Sequence, residues 1–161
     1  MTQFDEIDKR MMETACRLAE ENVNRGGGPF GAVIVDANRE IVATGVNEVT
    51  LRNDPTAHAE VNAIRNACSK VSNFKLEGCV VYSSCEPCPM CLSALYWAGV
   101  KRIIFGNTKA DADAIDFSDQ FIYDEIALHP EERSIPCLHM TTQRAIRAFQ
   151  MWAEKADKIE Y

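Results

Sequence analysis

Two short stretches of this chain hold residue types that can do chemistry together. The first is Pro55-Thr56-Ala57-His58-Ala59-Glu60, and the second is Ser84-Cys85-Glu86-Pro87-Cys88-Pro89-Met90-Cys91. Zinc is borderline soft and takes His nitrogen and Cys thiolate. Cys88 and Cys91 are three apart, so on a helix both sulfurs lie on one face. His58 supplies a third donor. Three protein ligands leave a fourth tetrahedral position for water, which is the pattern of a catalytic zinc. Glu60 is a carboxylate beside the donor set that can shuttle protons to and from that water.

His58 and Glu60 are two apart, and residues at that spacing do not share a helix face. The geometry works if His58 sits in the first turn and the metal lies off the helix end. Pro55 and Thr56 suit a helix start there. The positive end of that helix then helps hold thiolate and hydroxide. Other readings of the same residues exist. A bare C-x-x-C is also a redox pair or half of a structural zinc site, with Cys85 the candidate fourth ligand. The redox reading leaves His58 and Glu60 unexplained, whereas the catalytic reading uses all four residues. Cys16, Cys68, Cys79, Cys85 and Cys137 are then reduced thiols of the core or of the metal's surroundings. His129 and His139 lie far from both stretches and are not assigned to the metal.

The elements that must position these residues can be read in order. Residues 4–25 show apolar residues at helical spacing: Ile7, Met11, Ala15, Leu18, Ala19 and Val23. Gly26-Gly27-Gly28-Pro29 ends that helix, as a plain turn or as backbone that must pass close to a ligand. Residues 30–35 and 41–46 form a β-hairpin by pattern. Asn47 closes the second strand, where an asparagine is usually a turn residue.

A helix over residues 57–69 carries His58 and Glu60, with Val61, Ile64 and Cys68 on its apolar stripe. Residues 79–82 fit a buried central strand. Residues 88–98 form the second metal helix, with Leu92, Leu95 and Tyr96 as its core face. Residues 102–105 are the next strand. Strands separated by helices imply parallel pairing in a covered sheet, with active sites at strand ends and helix starts. Residues 109–132 hold eight acidic residues and one base, Lys109, together with Phe117, Phe121 and Tyr123. This is a solvated face or a lid at the edge of a pocket. A last short strand is expected over 135–140 and a terminal helix over 141–158, with Ala145, Ile146, Phe149 and Trp152 on one stripe.

The 161 residues make one domain of ordinary size, with 47% apolar residues available for a core. Net charge is −7 and no run of Lys or Arg stands out, which counts against a nucleic-acid surface and favours a small neutral substrate. The opening residues lack a basic region followed by an apolar one, and no apolar run is long enough to span a bilayer. The expectation is a cytoplasmic protein without a membrane partner. Seven cysteines, an odd count, read as metal ligands and reduced thiols rather than a disulfide framework.

H-x-E followed by P-C-x-x-C is the signature of the zinc-dependent nucleobase deaminases. The motif region, with the hairpin before it and the strand after it, resembles the cytidine deaminase-like superfamily. Longer stretches are similar to its bacterial guanine deaminases. They are Gly28-Pro29-Phe30-Gly31-Ala32-Val33-Ile34-Val35, Asn53-Asp54-Pro55-Thr56-Ala57-His58-Ala59-Glu60-Val61, the Cys88 segment, and Phe117-Ser118-Asp119-Gln120-Phe121-Ile122-Tyr123. Pro130-Glu131-Glu132-Arg133 and the terminal Glu160-Tyr161 extend the likeness.

The resemblance implies a three-layer α/β/α fold with a mixed five-stranded sheet and helices on both faces. It implies one Zn2+ per chain on His58, Cys88 and Cys91, with Glu60 as the proton shuttle. Asn47, Ala59, Asp119, Trp97 and Tyr161 are its substrate-binding set. It also implies a homodimer in which the C-terminal segment, about residues 141–161 of a single 1–161 domain, is exchanged between chains. Tyr161, with or without Asp119, would then serve the partner's site. Position 118 is Ser where the family pattern favours an acid, which weakens the match around Asp119. The implied reaction is hydrolytic deamination of guanine to xanthine and ammonia. Rival substrates are guanosine, isocytosine and an aminotriazine. Adenosine in tRNA is disfavoured by the acidic balance. A non-enzymatic zinc-binding or interaction module with a degenerate site is disfavoured, because all three ligands and Glu60 are present.

Overall fold

In the computed structural model, residues 4–161 are described. Met1, Thr2 and Gln3, part of the opening stretch read as lacking a leader, lie outside the described residues. No described helix is long and apolar enough to cross a membrane. The chain divides into two compact units, one ending at Asp119 and the other Gln120–Tyr161.

The first unit is built on a sheet of four strands: β1 (Gly31–Val35), β2 (Ile41–Val46), β3 (Val80–Cys85) and β4 (Arg102–Asn107). Their order is β2-β1-β3-β4. The hairpin partners β1 and β2 are antiparallel, β1 and β3 are antiparallel, and β3 and β4 are parallel. The sheet is therefore mixed. Parallel pairing is confined to β3 and β4, where a helix makes the crossover. Helix α1 (Glu6–Asn24) covers one face. The other is covered by α3 (Ala59–Val71) and α4 (Pro89–Ala98), after a single-turn α2 (Val49–Arg52). A short α5 (Lys109–Asp113) follows β4.

Two separate cores show why three layers form. Val33, Val35, Tyr82 and Ile104 meet Met11 and Ala15 of α1. Ala32, Ile34 and Val81, alternating with them along the strands, meet Ala59, Ala63, Ala67, Leu95 and Ala98. The α1 stripe is Asp8, Met11, Ala15, Ala19 and Asn22. Val23, expected in the core, is exposed instead, and Asn22 takes the inward place one turn beyond Ala19.

Helix α3 likewise turns its small residues inward. Ala59, Ala63 and Ala67 are fully buried, while Val61, Ile64 and Cys68 lie at the margin. Gly45 explains the preference: a Cβ there would stand 2.2 Å from the Ala59 carbonyl oxygen and 2.4 Å from the Ala63 nitrogen. Backbone-to-backbone contact leaves no space for branched side chains. On α4 the buried stripe is Cys91, Leu95 and Ala98, and Tyr96, one position round from Leu95, faces out.

The second unit holds α6 (Gln120–Ala127), a 3-10 turn at Pro130–Glu132 and α7 (Gln143–Glu154). Arg133 gathers the end of α6, donating to the carbonyls of Glu125 at 3.0 Å and of Ile126 and Leu128 at 3.3 Å. This satisfies carbonyls the helix leaves unpaired. The fifth strand expected over residues 135–140 does not form, and the sheet has four strands among the described residues. Pro136 has no N–H to give a ladder, and the Cys137 N–H is spent on the Pro130 carbonyl at 2.9 Å.

Candidate metal centre and active site

The strand ends place the site. In register, Gly31 faces Val46, Ala32 faces Ser83 and Cys85 faces Asn107. The start of β1 and the ends of β2, β3 and β4 therefore share one rim of the sheet. Helices α3 and α4 begin at that rim.

His58 is the N-cap of α3 and Cys88 the N-cap of α4, with Pro89 as the first residue of that helix. Both caps have extended backbone, which turns the chain sharply into each helix. Cys91 follows one turn into α4 and is fully buried. The Cys88 and Cys91 sulfurs lie 3.6 Å and 3.5 Å from His58 Nδ1. All three donor atoms fall within 4.8 Å of one another. A tetrahedral zinc holds a nitrogen and a sulfur donor about 3.6 Å apart. The donors are thus spaced as that ion requires.

The charges agree. A hydrogen bond from the Cys91 thiol holds the Cys88 thiol down at about 4 against the effect of burial, and His58 adds to the fall. The Cys88 thiolate and burial push Cys91 well above the ordinary thiol range. The Cys88 thiolate also raises His58. Two sulfurs compete for one negative charge, and a dication between them removes the competition.

Cys85 is not one of the donors. It is buried at the end of β3 with its sulfur 3.8 Å from the Thr108 carbonyl oxygen. Its thiol is pushed up to about 11, chiefly by burial and then by Glu60. A zinc held by His58, Cys88 and Cys91 alone would keep a position open for water, which is the catalytic pattern.

Glu60 is the second residue of α3 and is 6% exposed. Burial raises its carboxyl above the usual range, while hydrogen bonds from Cys91 and Ser83 work the other way. The Ser83 hydroxyl donates to Glu60 Oε1 at 3.0 Å. Ala59, between His58 and Glu60, is fully buried.

Asn47 is also on this rim and 6% exposed. Its N–H donates to the Phe30 carbonyl at 3.1 Å, and its Oδ1 accepts from the Val49 N–H at 3.3 Å. Phe30 meets Phe117 edge to face with ring centres 5.0 Å apart, so an aromatic from the acidic stretch stands beside the site. Asp119 is partly buried. Burial, and then the charge on Cys88, raise its carboxyl.

Trp97 is not brought to its own chain's donors. It stands nine residues beyond Cys88, about 13 Å along α4, and its carbonyl accepts from Lys75 Nζ at 3.1 Å. Tyr161 is exposed at the end of the second unit.

Three partners of the site were not read from the sequence: Ser83, Asn22 and Asn62. Asn22 had a signal, because it is an amide on the apolar stripe of α1. Asn62 and Ser83 had none, since their partners are fixed only by the packing of α3 on β2 and β3.

Residues 5–107 match the cytidine and deoxycytidylate deaminase zinc-binding region. The chain is 50% identical over 151 residues to the guanine deaminase of Bacillus subtilis, covering 93% of this chain and 96% of that one. It is 34% identical over 155 residues to the tRNA-specific adenosine deaminase of Haemophilus influenzae, covering 96% and 90%. The X-ray structure of guanine deaminase from Bacillus subtilis superposes with a TM-score of 0.93 at 47% identity, covering 98% of this chain and 99% of that one.

Proposed function

Because the chain belongs to the cytidine and deoxycytidylate deaminase zinc-binding family, we infer that it converts guanine and water to xanthine and ammonia. The observation that carries this is the His58–Cys88–Cys91 donor set with Glu60 beside it, in a chain half identical to a guanine deaminase along nearly its whole length. Bound to the three donors, zinc supplies a Lewis acid that makes a water nucleophilic near neutral pH.

The chain's own residues do the rest. Glu60 takes a proton from the attacking water and delivers it to the ring nitrogen beside C2. It then takes the remaining proton from the new C2 hydroxyl and gives it to the departing exocyclic amine. A C2–O bond forms, the C2–N bond breaks, and ammonia leaves. Burial keeps this proton traffic away from bulk solvent. Ser83 holds Glu60 Oε1 so that the other oxygen faces the reacting atoms. Asn47 reads the base. Its Oδ1 is occupied by Val49, which leaves its Nδ2 to donate to a ring acceptor. Asp119 and Ala59 complete the pocket of the same chain.

The active form is a homodimer in which the 1–161 domain is completed by exchange of the C-terminal segment. Exposed apolar residues of the second unit support this: Ile135, Leu138, Met140, Phe149 and Tyr161 are each more than 70% exposed, far beyond the usual scatter of single apolar residues on a monomer. Trp97 and Tyr161 then supply aromatic walls across the dimer. The acidic balance and the substrate fit a cytoplasmic enzyme.

The test is to incubate zinc-loaded protein with guanine, guanosine, isocytosine, cytosine, adenine and tRNA in parallel and measure ammonia. Guanine consumed to xanthine with guanosine inert is the expected result. Inosine formed in tRNA with guanine untouched would assign the chain to the chemistry of its Haemophilus influenzae relative instead.

A further inference from the structure

We infer that Asn22 is a positioning residue for Asn47, fixing the peptide from which the Asn47 amide reaches the substrate. This rests on the reading of Asn47 as the group that reads the base.

Asn22 lies on the buried stripe of α1 and is 1% exposed. An amide buried that deeply must spend its hydrogens on protein acceptors. It spends them on two segments far apart in sequence: Nδ2 donates to the Gly28 carbonyl at 2.8 Å and to the Asn47 carbonyl at 2.7 Å. The Asn22 carbonyl also accepts from the N–H groups of Arg25 and Gly27, both at 3.0 Å. One residue therefore ties the end of α1, the glycine loop and the end of β2 together.

The loop has no room for side chains at this junction. A Cβ on Gly27 would stand 2.3 Å from Asn22 Nδ2 and 2.6 Å from the Asn47 carbonyl oxygen. A Cβ on Gly28 would stand 2.9 Å from Asn47 Oδ1. The close approach that the glycine run allows is thus to Asn47.

The opposite side is held as well. Asn62 Nδ2 donates to the Val46 carbonyl at 2.9 Å, and the Asn47 N–H donates to Phe30. Asn47 sits in a peptide gripped before and after its Cα. A side chain gripped in that way keeps its remaining donor aimed without paying rotamer entropy on binding. Asn62 sits one turn from His58, whose carbonyl accepts its N–H at 2.9 Å, so its loss would disturb the metal too. Asn22 hydrogen-bonds to none of His58, Glu60, Cys88 or Cys91, which makes it the residue to test.

The experiment compares zinc-loaded Asn22→Ala and Gly27→Ala, which disturb the same contact from opposite sides. Each is made alone and with Asn47→Ala, with guanine kinetics, zinc content and thermal unfolding measured together. Each single variant should keep its zinc and raise KM for guanine about tenfold, the worth of roughly one well-placed hydrogen bond, with kcat changed less than about threefold. Added to Asn47→Ala, Asn22→Ala should change kcat/KM by less than about twofold, because the residue it serves is gone.

A full additional loss in that background would overturn the inference, as would an unchanged KM in the folded single variants. If Asn22→Ala does not fold, Gly27→Ala alone carries the comparison. Wild-type kinetics in Asn47→Ala would remove the reading of Asn47 itself, and the inference with it.

Discussion

The Ser83 hydroxyl, at the end of β3, donates to Glu60 Oε1, in the first turn of α3, across 3.0 Å. This bond ties the central strand to the carboxylate we propose as the proton carrier and occupies one of its two oxygens. Ser83 is 1% exposed, so water does not replace it. Ser83→Ala should lower kcat for guanine about tenfold, the worth of roughly one hydrogen bond, with KM nearly unchanged and zinc retained. Steady-state kinetics with metal analysis on the same preparation checks this, and an unaltered kcat would make the bond irrelevant to turnover.

Glu60→Gln keeps the shape of the side chain and removes its basicity. Zinc should stay bound, because none of the three donors is replaced and Gln keeps an oxygen where Glu60 has one. Turnover should fall by about 10²–10⁴-fold, the usual range for losing a general acid–base group. Near-normal rates in a zinc-replete variant would take Glu60 out of the mechanism.

The three-donor reading separates Cys85 from Cys88. Cys85→Ala should leave one zinc per chain and ordinary guanine turnover, since its sulfur faces the Thr108 carbonyl. Cys88→Ala should lose most of the zinc and the activity together. Chelation of the wild-type protein should lower Tm, because metal bound only by the folded chain adds to its stability. Loss of zinc in Cys85→Ala would instead mark a closed, structural site.

At the opposite rim of the sheet, Asp8 sets an acid-stability limit. It is 5% exposed. It accepts from Tyr82 at 2.6 Å, Arg39 at 2.6 Å and Arg102 at 3.0 Å. Burial alone raises its carboxyl, but the bonds from Tyr82 and the Asp5 N–H outweigh that and the net direction is down. A carboxyl lowered by folding contributes stability above its unfolded value, near pH 4, and loses it as pH falls through the folded one. Asp8→Asn should cost about 2 kcal/mol at pH 7, where Arg102 loses its carboxylate and Arg39 keeps only that of Asp5. It should also flatten the loss of stability below about pH 4. Denaturant unfolding at pH 7 and pH 3 tests both, and parallel curves for the two proteins would count against this account.

The donor set was legible in the sequence, because His58, Glu60, Cys88 and Cys91 owe their roles to residue chemistry and to spacing along single helices. Most helices and strands of the first unit were legible because their periodicities mark which faces must be buried. The three-layer arrangement came from the family resemblance, and the antiparallel pairing of β1 with β3 was not in the pattern. The sequence alone could not show that α3 approaches the sheet through Ala59, Ala63 and Ala67, because that depends on Gly45 lying opposite them. Nor could it show that residues 135–140 form no strand, because the Cys137 N–H is spent on the Pro130 carbonyl. Ser83 meets Glu60 across 23 residues and Asn22 meets Asn47 across 25. Local pattern carries no information about such pairs. They exist because two elements pack at one distance and in one register, and only the tertiary structure decides that.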